Sequence, residues 1–179
     1  MSLIPAGEFV MGNVRTKVDK PFWMARCEVG NRLFSLFDPK HDSRYFNRMG
    51  KDQSDRGVPM NGAMEPVVRV SWRQAVDFCA WLSAKTGHRF SLPTEVQWEW
   101  ACRAGSAEPF WFGPLGTDYG RFANLADVNL GRFSVGGAPP GWRPADNNVN
   151  DGQLATTQID RYQPNPWGLY NMHGNAAEW

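Results

Sequence analysis

The chain has 179 residues, 42% of them hydrophobic, and its 19 Lys and Arg against 18 Asp and Glu leave a formal net charge of +1. That balance excludes the basic face that nucleic-acid binding needs and names no charged partner. The apolar content excludes general disorder, and no uninterrupted apolar run approaches the ~20 residues of a bilayer-spanning helix, so one soluble, membrane-free domain over residues 1–179 is expected.

Met1 to Gly7 lacks the basic region, long apolar stretch and small-residue cleavage site of a secretory signal, so nothing there directs export. Phe9–Gly12 and Phe22–Val29 are short, apolar or alternating, and bounded by Gly, Pro and charges; they are predicted as strands of one sheet. After Gly30-Asn31, the residues Leu33, Phe34, Leu36 and Phe37 crowd a short buried helix that Pro39 ends. Residues 38 to 66 carry Gly50, Gly57, Pro59, Gly62 and Pro66 with no sustained periodicity and read as a long surface excursion.

Val67–Val70 reads as a strand leading into Ser71-Trp72-Arg73-Gln74, a capping box that opens a helix. Its inward face is Ala75, Phe78, Cys79 and Leu82, and Gly87 supplies the left-handed residue that stops it. A second capping box, Thr94-Glu95-Val96-Gln97, opens a helix that runs to about Ala104, with Gly105 as its stop. From Ser106 onward only loop is expected, including the clusters Gly136–Gly141 and Asn147–Gly152. Nine Trp, 18 Gly and 13 Pro fit this picture, in which indole rings pin loops to a core.

Cys27, Cys79 and Cys102 form an odd set without a CxxC pair, which argues against a disulfide framework and a zinc site; two of them read as buried helical thiols. His41, His88 and His173 are scattered, without metal-ligand spacing. The oxygen-rich segment at the end of the chain is more informative. A turn at Gly174 can aim carbonyl oxygens inward, and Asn171 and Glu178 add an amide oxygen and a carboxylate, the hard donors of which Ca²⁺ takes about six to eight. Asn147–Gly152, with Asp146 and Asp151, is either a second such site or an Asx-turn loop.

Five blocks occur in a telling order. They are Ile4–Gly12; Glu28-Val29-Gly30-Asn31 with Phe34 and Phe37; Pro66–Trp72 with Phe78–Ser83; Leu92–Glu95 with Trp98–Gly105; and Asn165–Trp179. Together they resemble the formylglycine-generating-enzyme (sulfatase-modifying factor) family over essentially the whole chain. The resemblance implies an α/β (α+β), C-type-lectin-like fold of the formylglycine-generating-enzyme type, with low regular secondary structure and structural Ca²⁺. It places one calcium on Asn171, the carbonyls of Gly174 and Ala176, and Glu178. A second falls on Asn124, the Leu125 carbonyl, Asp151 and the Gln153 carbonyl.

The implied activity is the aerobic, copper-dependent oxidation of a sulfatase cysteine to formylglycine by a late cysteine pair, thiolates being soft ligands suited to copper(I). No such pair is present, so the chain reads as the N-terminal portion of the domain with its C-terminal part missing. Copper is expected only with a downstream pair, and the implied partner is a sulfatase-like protein or peptide. Cys102 matches a position that in some members forms a disulfide with a later cysteine, also absent. Gly30, Ser91 and Ala177 stand where Thr, Arg and Trp are common, which marks a divergent member. Iron-dependent sulfoxide synthases of related sequence need a histidine cluster that this chain lacks. The competing reading is a non-catalytic, calcium-stabilised lectin-like binding scaffold; a third is that the motifs only cap helices and fill a core.

Overall fold

The computed structural model describes residues 1–46, 57–132 and 145–179. Part of the 38–66 excursion and all of the Gly136–Gly141 cluster lie outside the described residues. In chain order the elements are β1 (Ser2–Ile4), β2 (Gly7–Met11), β3 (Val14–Val18), β4 (Phe22–Met24), α1 (Asn31–Phe34), β5 (Tyr45–Phe46), β6 (Val58–Pro59), α2 (Trp72–Thr86), α3 (Glu95–Arg103) and α4 (Val128–Arg132). The architecture is α+β with little regular structure, as expected from the Gly and Pro content.

The predicted single sheet is instead two ladders. β2 pairs with β3 through a two-residue turn in which Gly12 takes φ +60, while β1 pairs with β4 in the register Leu3↔Trp23. Pro5 and Pro21 lie between the ladders, and neither has an N–H to extend one into the other. β4 stops at Met24, so the extended run to Val29 leaves the ladder; Val29 instead accepts the Val67 amide at 2.8 Å. Val67–Val70 is likewise not a strand. Its neighbour Pro66 makes one bridge to Gly30, and Arg69 at φ +62 breaks the extended backbone.

Helix α1 spans only four residues and buries Phe34, while Leu33 and Leu36 are exposed, so it is less buried than its composition predicts. Gly30 gives it no side-chain cap; the first amides donate to Glu65 O at 2.9 Å and Ala63 O at 3.0 Å. The excursion is therefore not purely a surface feature. Its end caps α1, Ser43, Met60 and Pro66 are buried, and β5 pairs with β6.

The two capping boxes form as predicted. Ser71 accepts from the Gln74 amide and Thr94 from the Gln97 amide, and each glutamine side chain accepts the cap residue's own N–H. Gly87 ends α2 at φ +72, and α3 ends with Ala104 itself left-handed at φ +48 before Gly105. Phe78 on the inner face of α2 stacks on Phe34, 5.4 Å between centroids. Helix α4 breaks the expectation of loop after Ser106. Asp127 opens it by accepting the Asn129 amide at 2.8 Å, a short cap signal without an apolar stripe behind it.

The main core joins the ends of the chain. Ile4, Val18, Trp100, Ala101, Cys102, Leu169 and Met172 are buried together. Trp100 donates its indole N–H to Pro5 O at 2.8 Å and lies so close to Gly7 that a Cβ there would sit 2.6 Å from its ring. A smaller cluster of Tyr119, Ala123 and Val149 underlies the later loops.

Candidate functional site

The segment Asn171–Glu178 doubles back on itself through three left-handed residues, Asn171 (φ +52), Gly174 (φ +86) and Asn175 (φ +63). Asn tolerates this region better than other side chains, and Gly174 is obligatory there, because a Cβ would meet Asn124 O at 2.1 Å. The packing that pins the segment is the main core below it, where Leu169 and Met172 are buried.

Asn171 is 4% exposed, and its Oδ1 is buried without a hydrogen-bond partner. A buried oxygen left without a donor is disfavoured by about 1–3 kcal/mol, so it marks a place where a cation or water completes the structure. The amide's other end is held: Asn171 Nδ2 donates to Glu28 Oε2 at 2.7 Å, which aims Oδ1 the opposite way. Burial pushes the Glu28 carboxyl up to about 7, against the opposing effect of the amide donors of Asn171 and Asn175. Glu178 accepts the Trp98 indole N–H, and burial raises its carboxyl as well. Glu28 and Glu178 are thus buried carboxylates of the region, and the unpaired amide oxygen is a hard donor of the kind Ca²⁺ takes. Of the first expected donor set, the orphaned Asn171 oxygen is the atom whose state suits an ion.

Three residues of the second expected set meet at one carboxylate. Asp151 accepts the Leu125 amide at 3.1 Å and the Gln153 amide at 2.7 Å, and Asn124 Nδ2 donates to Ala155 O at 2.8 Å and to Asn175 Oδ1 at 3.0 Å. Burial raises the Asp151 carboxyl to about 6, with the neighbouring Asp127 adding to the effect. Asp127, 1% exposed, accepts the Asp151 amide and the Asn129 side chain. Asp146 accepts the Asn148 amide in an Asx-turn, so the Asn147–Gly152 loop combines that turn with the Asp151 position. Among the described residues no cluster of three His, Cys, Asp or Glu side chains occurs. Each expected set has a single carboxylate, Glu178 or Asp151, beside amide and carbonyl oxygens.

Three residues of this region were given no site role by sequence reasoning. Glu28 stood in a recognised block, Asn175 lay between two proposed ligands, and Asp127 had only its Asp-x-Asn capping spacing as a signal.

All three cysteines are free. Burial raises the thiols of Cys27 and Cys79 and pushes that of Cys102 up to about 12. Cys102 donates to Met172 O at 3.3 Å, and its sulfur lies 3.6 Å from His173 Nε2, whose basicity burial lowers. Cys27 and Cys79 line one cavity of about 370 Å³. Copper(I) takes thiolates, and the burial that raises all three thiols opposes that form, which disfavours them as its ligands. A cleft of about 1050 Å³ has Asn171 and Glu178 in its walls together with Met60, Trp98, Phe110 and Trp179.

Fold and site define a loop-rich α+β domain with oxygen-donor turns. Residues 1–179 match the sulfatase-modifying factor enzyme 1-like domain, and the chain belongs to that family. It is 34% identical over 227 residues to the formylglycine-generating enzyme of Mus musculus, covering 98% of this chain and 56% of that protein. The inactive C-alpha-formylglycine-generating enzyme 2 of Bos taurus is 31% identical over 115 residues, 64% of this chain and 32% of that protein. Among solved structures, PvdO from Pseudomonas aeruginosa superposes with a TM-score of 0.71 at 27% identity, over 99% of this chain and 68% of PvdO. The chain thus spans about half the length of the full curated relative from mouse. No helix among the described residues is long and apolar enough to cross a membrane.

Proposed function

We propose that these 179 residues form the calcium-stabilised scaffold of a formylglycine-generating-type oxidation, in which a sulfatase cysteine is the substrate and a thiol pair outside them carries the redox step. The observation that carries the reading is the buried, unpaired Asn171 Oδ1, inside the segment that resembles the family's calcium site. In this reading Asn171, the carbonyls of Gly174 and Ala176, and Glu178 hold the first ion; Asn124, Leu125, Asp151 and Gln153 hold the second. Bound calcium supplies positive charge that balances the buried acids. Glu28 and Trp98 orient the ligands around it, through Asn171 and Glu178 respectively. The three thiols here stay protonated structural groups.

A second reading, a non-catalytic lectin-like binding scaffold, is favoured by the cleft beside Trp98 and by the lack of a thiol pair. One experiment separates the two. The coding frame is read past residue 179, and both products are incubated with copper(I), oxygen and a cysteine-containing sulfatase peptide. The 179-residue chain is expected to leave the peptide unchanged, and a longer product with a cysteine pair to convert it. Turnover by the shorter chain sinks the assignment of the chemistry to an outside pair. A longer product without cysteines hands the case to the binding scaffold.

A further inference from the structure

We propose that Asn175, clamped by Glu28, couples the two candidate calcium positions, so that an ion at one raises the affinity of the other. The inference rests on the calcium reading above and adds a relation between the sites.

Asn175 is the residue between two ligands of the first position, yet every polar atom of its side chain is engaged elsewhere. Its Oδ1 accepts from Asn124 Nδ2 at 3.0 Å and from the Thr157 amide at 2.9 Å. Its Nδ2 donates to Glu28 Oε1 at 2.9 Å and to Thr157 O at 3.3 Å. Its backbone amide donates to Asn124 O at 2.9 Å. Asn124 is a ligand of the second position. The other oxygen of Glu28 accepts from Asn171, a ligand of the first. One continuous path, Asn171–Glu28–Asn175–Asn124, therefore links a ligand of each position by three side-chain hydrogen bonds.

A parallel backbone bridge between Asn124 and Gly174 runs beside this path. An ion that draws Asn171 Oδ1 into place fixes the amide plane, hence its bond to Glu28, hence Asn175 and the rotamer of Asn124. The second ion then meets ligands already ordered. Such coupling is reciprocal by linkage, and its usual size is about 5- to 150-fold in affinity. Asn175 is a positioning residue here and touches neither ion.

The test is calcium titration of the 179-residue chain by calorimetry, with terbium luminescence excited through Trp98 as a separate report on the first position. The unmodified chain is expected to bind two ions with positive cooperativity of at least about 5-fold. Asn175→Gly removes the link while tolerating the left-handed backbone, and it is expected to bind both ions with that factor reduced to about one. Glu28→Gln keeps the shape of the clamp but gives one amide a donor where it needs an acceptor. It reduces the factor even if the glycine variant fails to fold. A purely structural role would lower the melting temperature and leave the ratio of the two affinities unchanged. An undiminished ratio in both Asn175→Gly and Glu28→Gln, or two independent ions or a single ion in the unmodified chain, overturns the coupling while calcium binding stands. No calcium binding by the unmodified chain overturns the calcium reading and the coupling with it.

Discussion

The helical region, residues 71–105, and the later loops, residues 119–179, are stabilised by different physics. In the first, each helix start satisfies its own amides through a capping box, and Trp100, Ala101 and Cys102 bury an apolar face against Ile4 and Val18. In the second, whose described residues are 119–132 and 145–179, the buried residues include Asp127, Asn129, Asp151, Thr157, Asn165 and Asn171, and side chains take many of the backbone hydrogen bonds. Asn165 is typical: it donates to Ala101 O at 2.8 Å and accepts the amides of Trp167 and Leu169. Apolar burial is non-directional and tolerates small shifts, whereas a polar network is stable only when every member is satisfied. The unpaired Asn171 oxygen is therefore more consequential in its region than an exposed leucine is in the other.

Three perturbations sharpen that contrast. Trp100→Ala removes the largest ring of the main core and its bond to Pro5, and it is expected to destabilise the chain by about 3–5 kcal/mol, read as a lower urea midpoint. If the two regions are one cooperative unit, hydrogen-exchange protection falls in both together; loss confined to the helices shows that the loops stand alone.

Removing calcium with a chelator acts from the other side. At free calcium about one hundred times Kd, binding to the native state alone contributes about 2.7 kcal/mol, which for a chain of this size is about 5–10 °C in melting temperature. A melt unchanged by chelator removes calcium from the account. Protection lost first at residues 119–179 places the ion's effect in the polar region.

Thr94→Ala is the smallest of the three. It deletes one side-chain acceptor at the start of α3 and is expected to lower stability by about 1 kcal/mol without altering calcium affinity. A changed affinity in the calorimeter would show that α3, through Trp98 and Glu178, belongs to the metal site.

How far each region could be read in advance follows from the same physics. Capping boxes, a helical apolar face and a glycine stop are local signals, so α2 and α3 were legible almost to the residue. Strand pairing is non-local, and the prolines that split one expected sheet into two ladders act through missing donors across the pair rather than along the chain. The short α4 escaped because one capping aspartate carries too little pattern. The eight candidate calcium ligands come from resemblance, and of these the structure brings Leu125 and Gln153 onto the Asp151 carboxylate and leaves the Asn171 oxygen without a partner. It adds Glu28, about 143 positions from its partner Asn171, a separation at which no local periodicity operates.

By itself, then, the amino-acid order determined the two long helices and their ends, the loop-rich composition and the family, because propensity, capping and motif order are properties of neighbours along the chain. Tertiary structure alone decided that Glu28 faces Asn171 and Asn175, that Asn171 Oδ1 is left without a donor, and that Gly174 lies against Asn124. Those facts depend on which distant segments exclude water from one another, and that is settled only when the chain has closed around its core.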